Sequence, residues 1–179
     1  RWTFRVMGAK DVRILEGGLP KWLAEGRPVV AGTPSPKPKI FKASLDASAV
    51  AGLGDIKAAL AKGSAQIVDA RPAARFRGEA PEPRPGLASG HMPGSLSVPF
   101  DQVVKDGRLV EPVQVRSAFA AAGVDLDQPI ITSCGSGVSA AILSLSLETA
   151  GVKPSALYDG SWAEWGGLPD CPVATAKDA

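Results

Sequence analysis

Short apolar runs alternate with amphipathic stretches through most of the chain. Apolar runs bounded by turn residues predict strands at 40–45, 65–69, 95–98, 129–133 and 156–158. Amphipathic or alanine-rich stretches predict helices over 54–62, 113–122 and 138–149. Asp55 is placed to cap the first of these helices, and Gly63 is placed to end it. Strands that alternate with helices predict an α/β fold, in which a central parallel sheet has helices on both faces.

An internal repeat points to duplication of a domain. Residues 8–29 match residues 151–173 with one inserted residue, and the matched positions are Gly8 and Gly151, Lys10 and Lys153, Glu16-Gly17 and Asp159-Gly160, Trp22 and Trp165, Pro28-Val29 and Pro172-Val173. Repeats that lie a domain length apart indicate duplicated domains. Because the second copy ends a domain, we expect the first copy to end one too. Residues 1–32 are therefore predicted to be the C-terminal remnant of a first domain.

A proline-rich segment follows the first copy of the repeat. Pro34, Pro36 and Pro38 alternate with Thr, Ser and Lys, a pattern that favours an extended, semi-rigid connector. We therefore assign residues 33–40 to a linker and residues 41–179 to a second domain, which holds the candidate chemistry.

Composition excludes several classes of function. The chain has 179 residues with a net charge of +2, which gives no basic patch for nucleic acid. No apolar run is long enough for a membrane span, and residues 1–5 lack the apolar region of a signal peptide, so we expect a cytoplasmic protein. Two cysteines and one histidine cannot form a zinc site alone, so we expect no metal and no cofactor.

The segment Cys134–Ala140, with the sequence CGSGVSA, carries the strongest chemical signal. It lies between a predicted strand and a predicted helix, and its glycines let backbone N–H groups point inward, toward the positive end of the helix. A thiol held there is favoured as the nucleophilic thiolate. A buried structural cysteine is the alternative, but polar Ser136 and Ser139 favour a chemical role. A phosphatase loop would need arginine where Ala140 stands, so the loop suits a sulfur atom better than a phosphate.

Three segments together carry a family resemblance. The CGSGVSA loop, the pair Val68–Gly86 and Gly90–Phe100, and the segment Leu157–Gly166 resemble the 3-mercaptopyruvate sulfurtransferases of the rhodanese family. The resemblance implies a rhodanese-like domain in which Cys134 forms a persulfide. It also implies a small-molecule sulfur donor and an acceptor such as a small thiol, thioredoxin or cyanide. The predicted persulfide cradle consists of the backbone amides of Gly135, Ser136, Gly137, Val138 and Ser139.

The resemblance assigns Arg75 and Arg84 to substrate binding. Two guanidinium groups suit a 2-oxo acid, because each can chelate a carboxylate or donate to a carbonyl. Solvated loop charge is the alternative for both. Ser136 is placed to relay a proton beside the sulfur. Thiosulfate-using relatives usually carry basic residues just after the cysteine, whereas Gly135 and Ser136 are neutral here, which favours 3-mercaptopyruvate. Thiosulfate transfer and a non-catalytic rhodanese-like binding module remain alternatives.

Two other charged or titratable residues are predicted to be structural. His91 lies in a Gly/Pro-rich turn, where we expect it to stabilise the turn rather than act as a base. We expect Arg71 to pair with an acid such as Asp69. In the resembling family the first domain lends an acid and a histidine to the cleft, and such residues would precede Arg1.

Overall fold

The computed structural model describes residues 1–154 and 156–176. The strands are β1 (Val50–Ala51), β2 (Gln66–Asp69), β3 (Leu96–Ser97), β4 (Val104–Lys105), β5 (Arg108–Leu109), β6 (Ile130–Ser133) and β7 (Ala156–Tyr158). Five of them form a parallel sheet with the order β1-β7-β6-β2-β3. The carboxyl ends of these strands therefore lie along one edge of the sheet.

Helices cover both faces of this sheet. They are α1 (Trp2–Val6), α2 (Gly18–Ala24), α3 (Leu53–Lys62), α4 (Ala73–Phe76), α5 (Pro112–Ala121), α6 (Val138–Thr149) and α7 (Ser161–Trp165). Short 3-10 turns occupy Ala47–Ala49 and Phe100–Gln102. Within the described residues, none of the helices combines the length and apolar composition needed to cross a bilayer.

Successive residues of the central strands face two separate cores. Val68 of β2 packs with α5 and α6, whereas the preceding Ile67 packs with α3 and α7. The same division holds in β6, where Ile130 belongs to the first core and Ile131 to the second. Side chains of a strand alternate between the faces of a sheet, so a strand that is apolar at consecutive positions must be covered on both. This confirms the predicted α/β sheet with helices on both faces.

Most predicted elements are present, but the first predicted strand is wrong. Residues 40–45 form no strand and are exposed, with Ile40 91% accessible. Ser44 instead donates its N–H to the carbonyl of Met7, beside the end of α1. The edge strand is β1, which was not predicted. The alternation in 40–45 predicted a strand wrongly, because an alternating pattern does not show whether another strand lies beside the segment to pair with it.

A hairpin between β4 and β5 was also missed. Its turn residues, Asp106 and Gly107, both have positive φ values, 51° and 72°. This Asp-Gly pair is the usual sequence of a two-residue hairpin turn, whose backbone requires such φ values. The sequence therefore contained a usable signal for this element.

The two copies of the sequence repeat make the same local hydrogen bonds. At the end of α1, Met7, Gly8 and Ala9 donate to the carbonyls of Thr3, Arg5 and Phe4. The corresponding residues after α6, which are Ala150, Gly151 and Val152, donate to the carbonyls of Ser146, Glu148 and Leu147. The two copies of the repeat are therefore alike in local structure as well as in sequence.

The matched tryptophans extend this correspondence. Trp22 donates its indole N–H to the carbonyl of Pro28 at 2.9 Å, and Trp165 donates to the carbonyl of Pro172 at 2.9 Å. Trp165 is fully buried in the core beside α3, while Trp22 lies in a more exposed segment. The division of the chain into 1–32, 33–40 and 41–179 stays a prediction that this likeness favours.

Limited proteolysis tests this division. Residues 31–48 are exposed and form no strand and no α-helix, so a protease can bind them extended. We expect trypsin to cut first after Lys39 or Lys42, but not after Lys37, because Pro38 follows it. Mass spectrometry of early fragments provides the measurement. Earlier cleavage within 65–173 would contradict the division.

Candidate active site

Cys134 lies at the carboxyl end of β6, in the middle of the sheet, and is 1% exposed. Gly137 ends the following loop with φ +82°, a value that an L side chain adopts only with strain, and α6 begins directly after it. The N–H of Ser136 donates to the sulfur of Cys134 at 3.4 Å. Such a donor, together with the helix N-terminus, stabilises negative charge on the sulfur.

One backbone amide of the predicted persulfide cradle, that of Ser136, contacts the Cys134 sulfur directly. Among its members, Ser136 donates to the sulfur and has an exposed side chain, while Ser139 lines the cavity in front of Cys134. Gly137 provides the turn into α6, and the Val138 side chain is 74% exposed. The proton relay assigned to Ser136 stays a prediction.

The loop after β7 fixes the backbone of Cys134 from the other side. The hydroxyl of Ser161 accepts the Cys134 N–H at 3.2 Å and donates to the carbonyl of Tyr158 at 2.8 Å. Trp162 and Ala163 then donate their N–H groups to the carbonyls of Cys134 and Gly135, at 2.9 and 3.0 Å. Ser161 is buried and has φ +52°, so it is held in a conformation that is rare for a non-glycine residue. Hydrogen bonds from residues 161–163 to the backbone of residues 134 and 135 therefore fix the position of the thiol.

The segment around Ser161 stands out in the sequence, but the role of that serine does not. The motif Leu157–Gly166 is part of the family resemblance, yet a serine at a strand end has many possible partners. Its hydrogen bond to residue 134 joins positions 27 residues apart, which local patterns do not encode.

The two predicted substrate arginines lie in the same cavity as Cys134. This cavity, of about 370 Å³, is also lined by Ser136 and Phe100. Arg84 is exposed and donates to the carbonyl of Gly135 at 3.5 Å. Arg75, on α4, lies so near Gly135 that a Cβ there would be 3.1 Å from its Nη2 atom. The structure thus brings the predicted nucleophile and both predicted cations together.

A buried chain of alternating charges lies behind Arg75. Arg71 binds Asp69 through Nε and Nη2, at 2.9 and 2.8 Å to Oδ2, which confirms the predicted pairing. Arg71 also donates to Glu82 at 2.9 Å, and Glu82 in turn accepts hydrogen bonds from Arg75. The Arg71 guanidinium stacks on Trp162, with its carbon 4.2 Å from the ring centre. Glu82 does not stand out in the sequence, because nothing there distinguishes it from the neighbouring acid Glu79.

His91 and Cys171 take structural positions. The Nδ1 atom of His91 lies 2.8 Å from the carbonyl of Phe76, so it carries the proton and donates, and the two rings stack with centres 4.0 Å apart. His91 also exchanges backbone hydrogen bonds with Ala174. These contacts confirm its predicted role in the turn. Cys171 is a buried free thiol, and Cys134 is free as well.

A thiol in an amide loop at the carboxyl edge of a parallel sheet, facing guanidinium groups, has the chemistry to act as a nucleophile on an anionic molecule. Residues 53–168 match the model of the rhodanese-like domain. The chain belongs to the rhodanese family.

Its relatives include enzymes that use different sulfur donors. The chain is 43% identical to the 3-mercaptopyruvate sulfurtransferase of Escherichia coli K12 over 98% of its own length and 63% of the relative's. It is 41% identical to the thiosulfate sulfurtransferase of Mus musculus, over 92% of this chain and 56% of the relative. The chain thus spans between half and two thirds of the length of these relatives.

A solved structure supports the same assignment of the fold. The crystal structure of a 3-mercaptopyruvate sulfotransferase from Escherichia coli matches 90% of this chain and 60% of its own, with a TM-score of 0.79 and 41% identity. Sequence and structure therefore agree on the family.

Tyr158, the only tyrosine, allows a test of the packing behind the site. Burial, and then its hydrogen bond to Glu164 at 2.7 Å, raise the pKa of its phenol far above the usual value. In the unfolded chain this phenol ionises near pH 10, so the free energy of unfolding should fall as pH rises above about 10. We expect phenolate absorbance to appear only together with unfolding, followed by circular dichroism. A Tyr158→Phe variant should show a shallower pH dependence, and phenolate in a folded protein near pH 10 would contradict this packing.

Proposed function

We propose that this chain is the catalytic part of a sulfurtransferase that takes sulfur from 3-mercaptopyruvate and releases pyruvate. The observation that carries the proposal is one cavity that contains Cys134, Arg75 and Arg84 beside a neutral loop. A 2-oxo acid offers a carboxylate and a carbonyl, which suit two guanidinium groups. The relatives named for this activity support the choice.

The first half-reaction balances without a cofactor. The Cys134 thiolate attacks the substrate sulfur, a new S–S bond forms, and the substrate's C–S bond breaks. The electrons of that bond pass to pyruvate as its enolate, which Arg75 and Arg84 stabilise until a proton reaches its carbon. Ser136, whose N–H contacts the Cys134 sulfur, is our candidate to deliver that proton. The product on the protein is a Cys134 persulfide, held by the loop amides of residues 135–139.

The second half-reaction regenerates the thiol. A nucleophilic acceptor attacks the outer sulfur of the persulfide, and the Cys134 thiolate leaves. A small thiol, thioredoxin or cyanide can each serve, because the step needs only a nucleophile that reaches the outer sulfur. We infer no nucleic-acid partner from the small net charge of +2. The two free cysteines favour a reducing compartment such as the cytoplasm.

Thiosulfate is the second candidate donor. Similar identity to the mouse thiosulfate sulfurtransferase shows that overall likeness does not choose between donors. We infer a preference from the residues after the cysteine, because a dianion is favoured by a loop that itself carries positive charge next to the reacting sulfur. Gly135 and Ser136 provide none, so we favour 3-mercaptopyruvate. A non-catalytic binding module is the third candidate, and it predicts that no persulfide forms.

Intact mass tests the nucleophile. We expect the purified protein to gain the mass of one sulfur atom after incubation with 3-mercaptopyruvate. Cys134→Ser should abolish this gain and the transfer activity, because a hydroxyl cannot form a persulfide. Cys171→Ser is the matched control, since it replaces the other buried free cysteine, and it should retain most activity. A dead Cys171 variant beside an active Cys134 variant would refute the assignment.

Donor kinetics test the arginines. We expect Arg75→Ala to cost about 2–4 kcal/mol of transition-state stabilisation with 3-mercaptopyruvate, and Arg84→Ala to cost less, because water screens the exposed Arg84. Both losses should be smaller with thiosulfate, which has no carboxylate and carbonyl. Lysine at either position should recover only part of the loss, since a point charge cannot reproduce the guanidinium fork.

Arg77→Ala is the matched control for these variants. Arg77 lies in the same segment but pairs with Glu79 at 2.7 Å, and both side chains are about half exposed. We expect its kcat/KM with either donor to stay near that of the parent protein. Equal losses for both donors on replacing Arg75 and Arg84 would remove these arginines from the substrate site.

A further inference from the structure

Glu82 is a buried acid in direct contact with the cavity in front of Cys134. Its side chain is 2% exposed although the surrounding loop is open to solvent. Its Oε1 atom accepts from Arg71 Nη1 at 2.9 Å and from Arg75 Nε at 3.1 Å, while Oε2 accepts from Arg75 Nη2. One carboxylate therefore joins two guanidinium groups at the site.

The two arginines differ in how firmly the rest of the protein holds them. Arg71 is 1% exposed and is fixed by Asp69 at the end of β2, by the carbonyl of Gly90 at 2.8 Å and by the ring of Trp162. Arg75 has a side chain that is 23% exposed. Glu82 thus connects a cation at the cavity wall to one fixed in the core.

This contact decides which edge of Arg75 is available. A guanidinium group has a side edge, formed by Nε and Nη2, and a terminal edge, formed by Nη1 and Nη2. Glu82 occupies the side edge. Among the described residues no hydrogen bond to the Nη1 atom is found, so the terminal edge is open to a ligand, and its Nη2 atom lies against Gly135 of the cysteine loop.

We propose that Glu82 is a positioning residue for sulfur transfer, because it holds Arg75 with its terminal edge toward the substrate carboxylate beside Cys134. This role rests on the proposed function. An unpaired Arg75 would rotate among several rotamers, and the bound 2-oxo acid would lose its alignment with the sulfur. A misplacement of about 1 Å is enough to cost about 100-fold in rate.

The test compares the two half-reactions in a Glu82→Gln variant. We expect kcat/KM for persulfide formation from 3-mercaptopyruvate to fall about 100-fold. Transfer from the persulfide to cyanide, after loading the thiol with inorganic polysulfide, should be little changed, because no carboxylate is bound in that step. General damage to the fold would slow both half-reactions. Glu79→Gln is the matched control, since it removes an exposed partner of Arg77 in the same segment.

A double-mutant cycle shows whether Glu82 acts through Arg75. Once Arg75 is alanine, Glu82→Gln should cause little further loss, whereas independent effects would multiply. Glu82→Asp keeps the charge on a shorter side chain, so we expect intermediate activity, and it carries the test if Glu82→Gln does not fold. Multiplying losses, or equal slowing of both half-reactions, would overturn the role of Glu82 alone. A parent protein that forms no persulfide from 3-mercaptopyruvate would instead refute the proposed function.

Discussion

The buried ion pair between Arg71 and Asp69 is the interaction on which the site depends. Removing two charges from water is costly, and a pair of this kind persists only when nearly every polar atom finds a partner. Here Asp69 also accepts the backbone N–H of Arg71, while the remaining guanidinium donors go to Glu82 and Gly90. The register of the sheet places this ion pair near the thiol, because Asp69 pairs with Ser133, the residue before Cys134. The charge network and the thiol therefore begin side by side on adjacent strands.

The sequence predicted the periodic parts of the fold well. Helix α6 and strand β7 have the predicted bounds, since apolar burial on a regular element leaves a regular pattern. The pattern failed where burial did not follow it: residues 40–45 alternate but have no neighbouring strand. Short elements such as α4 and α7 span about one turn and leave no periodicity to detect.

The site was predictable where chemistry is carried by a local motif and not where it depends on long-range contact. Cys134, Arg75 and Arg84 stood out by residue type and resemblance, and the fold brings them to one cavity. Ser161 and Glu82 did not stand out, because their partners come from other segments of the chain and are set only by the folded structure. A glutamate in a charged loop is usually solvated, and only the structure shows that this one is buried between two arginines.

The near-complete burial of Cys134 gives the two halves of the proposed transfer cycle different steric requirements. A sulfur donor has to enter a cavity of about 370 Å³, which only a small molecule can do. The added sulfur atom then extends about 2 Å beyond the original one, the length of an S–S bond. The persulfide would thus extend toward the surface, while the sulfur of the unloaded cysteine stays out of reach of large oxidants and foreign disulfides. Size, rather than affinity, can therefore separate the molecules that load this protein from those that unload it.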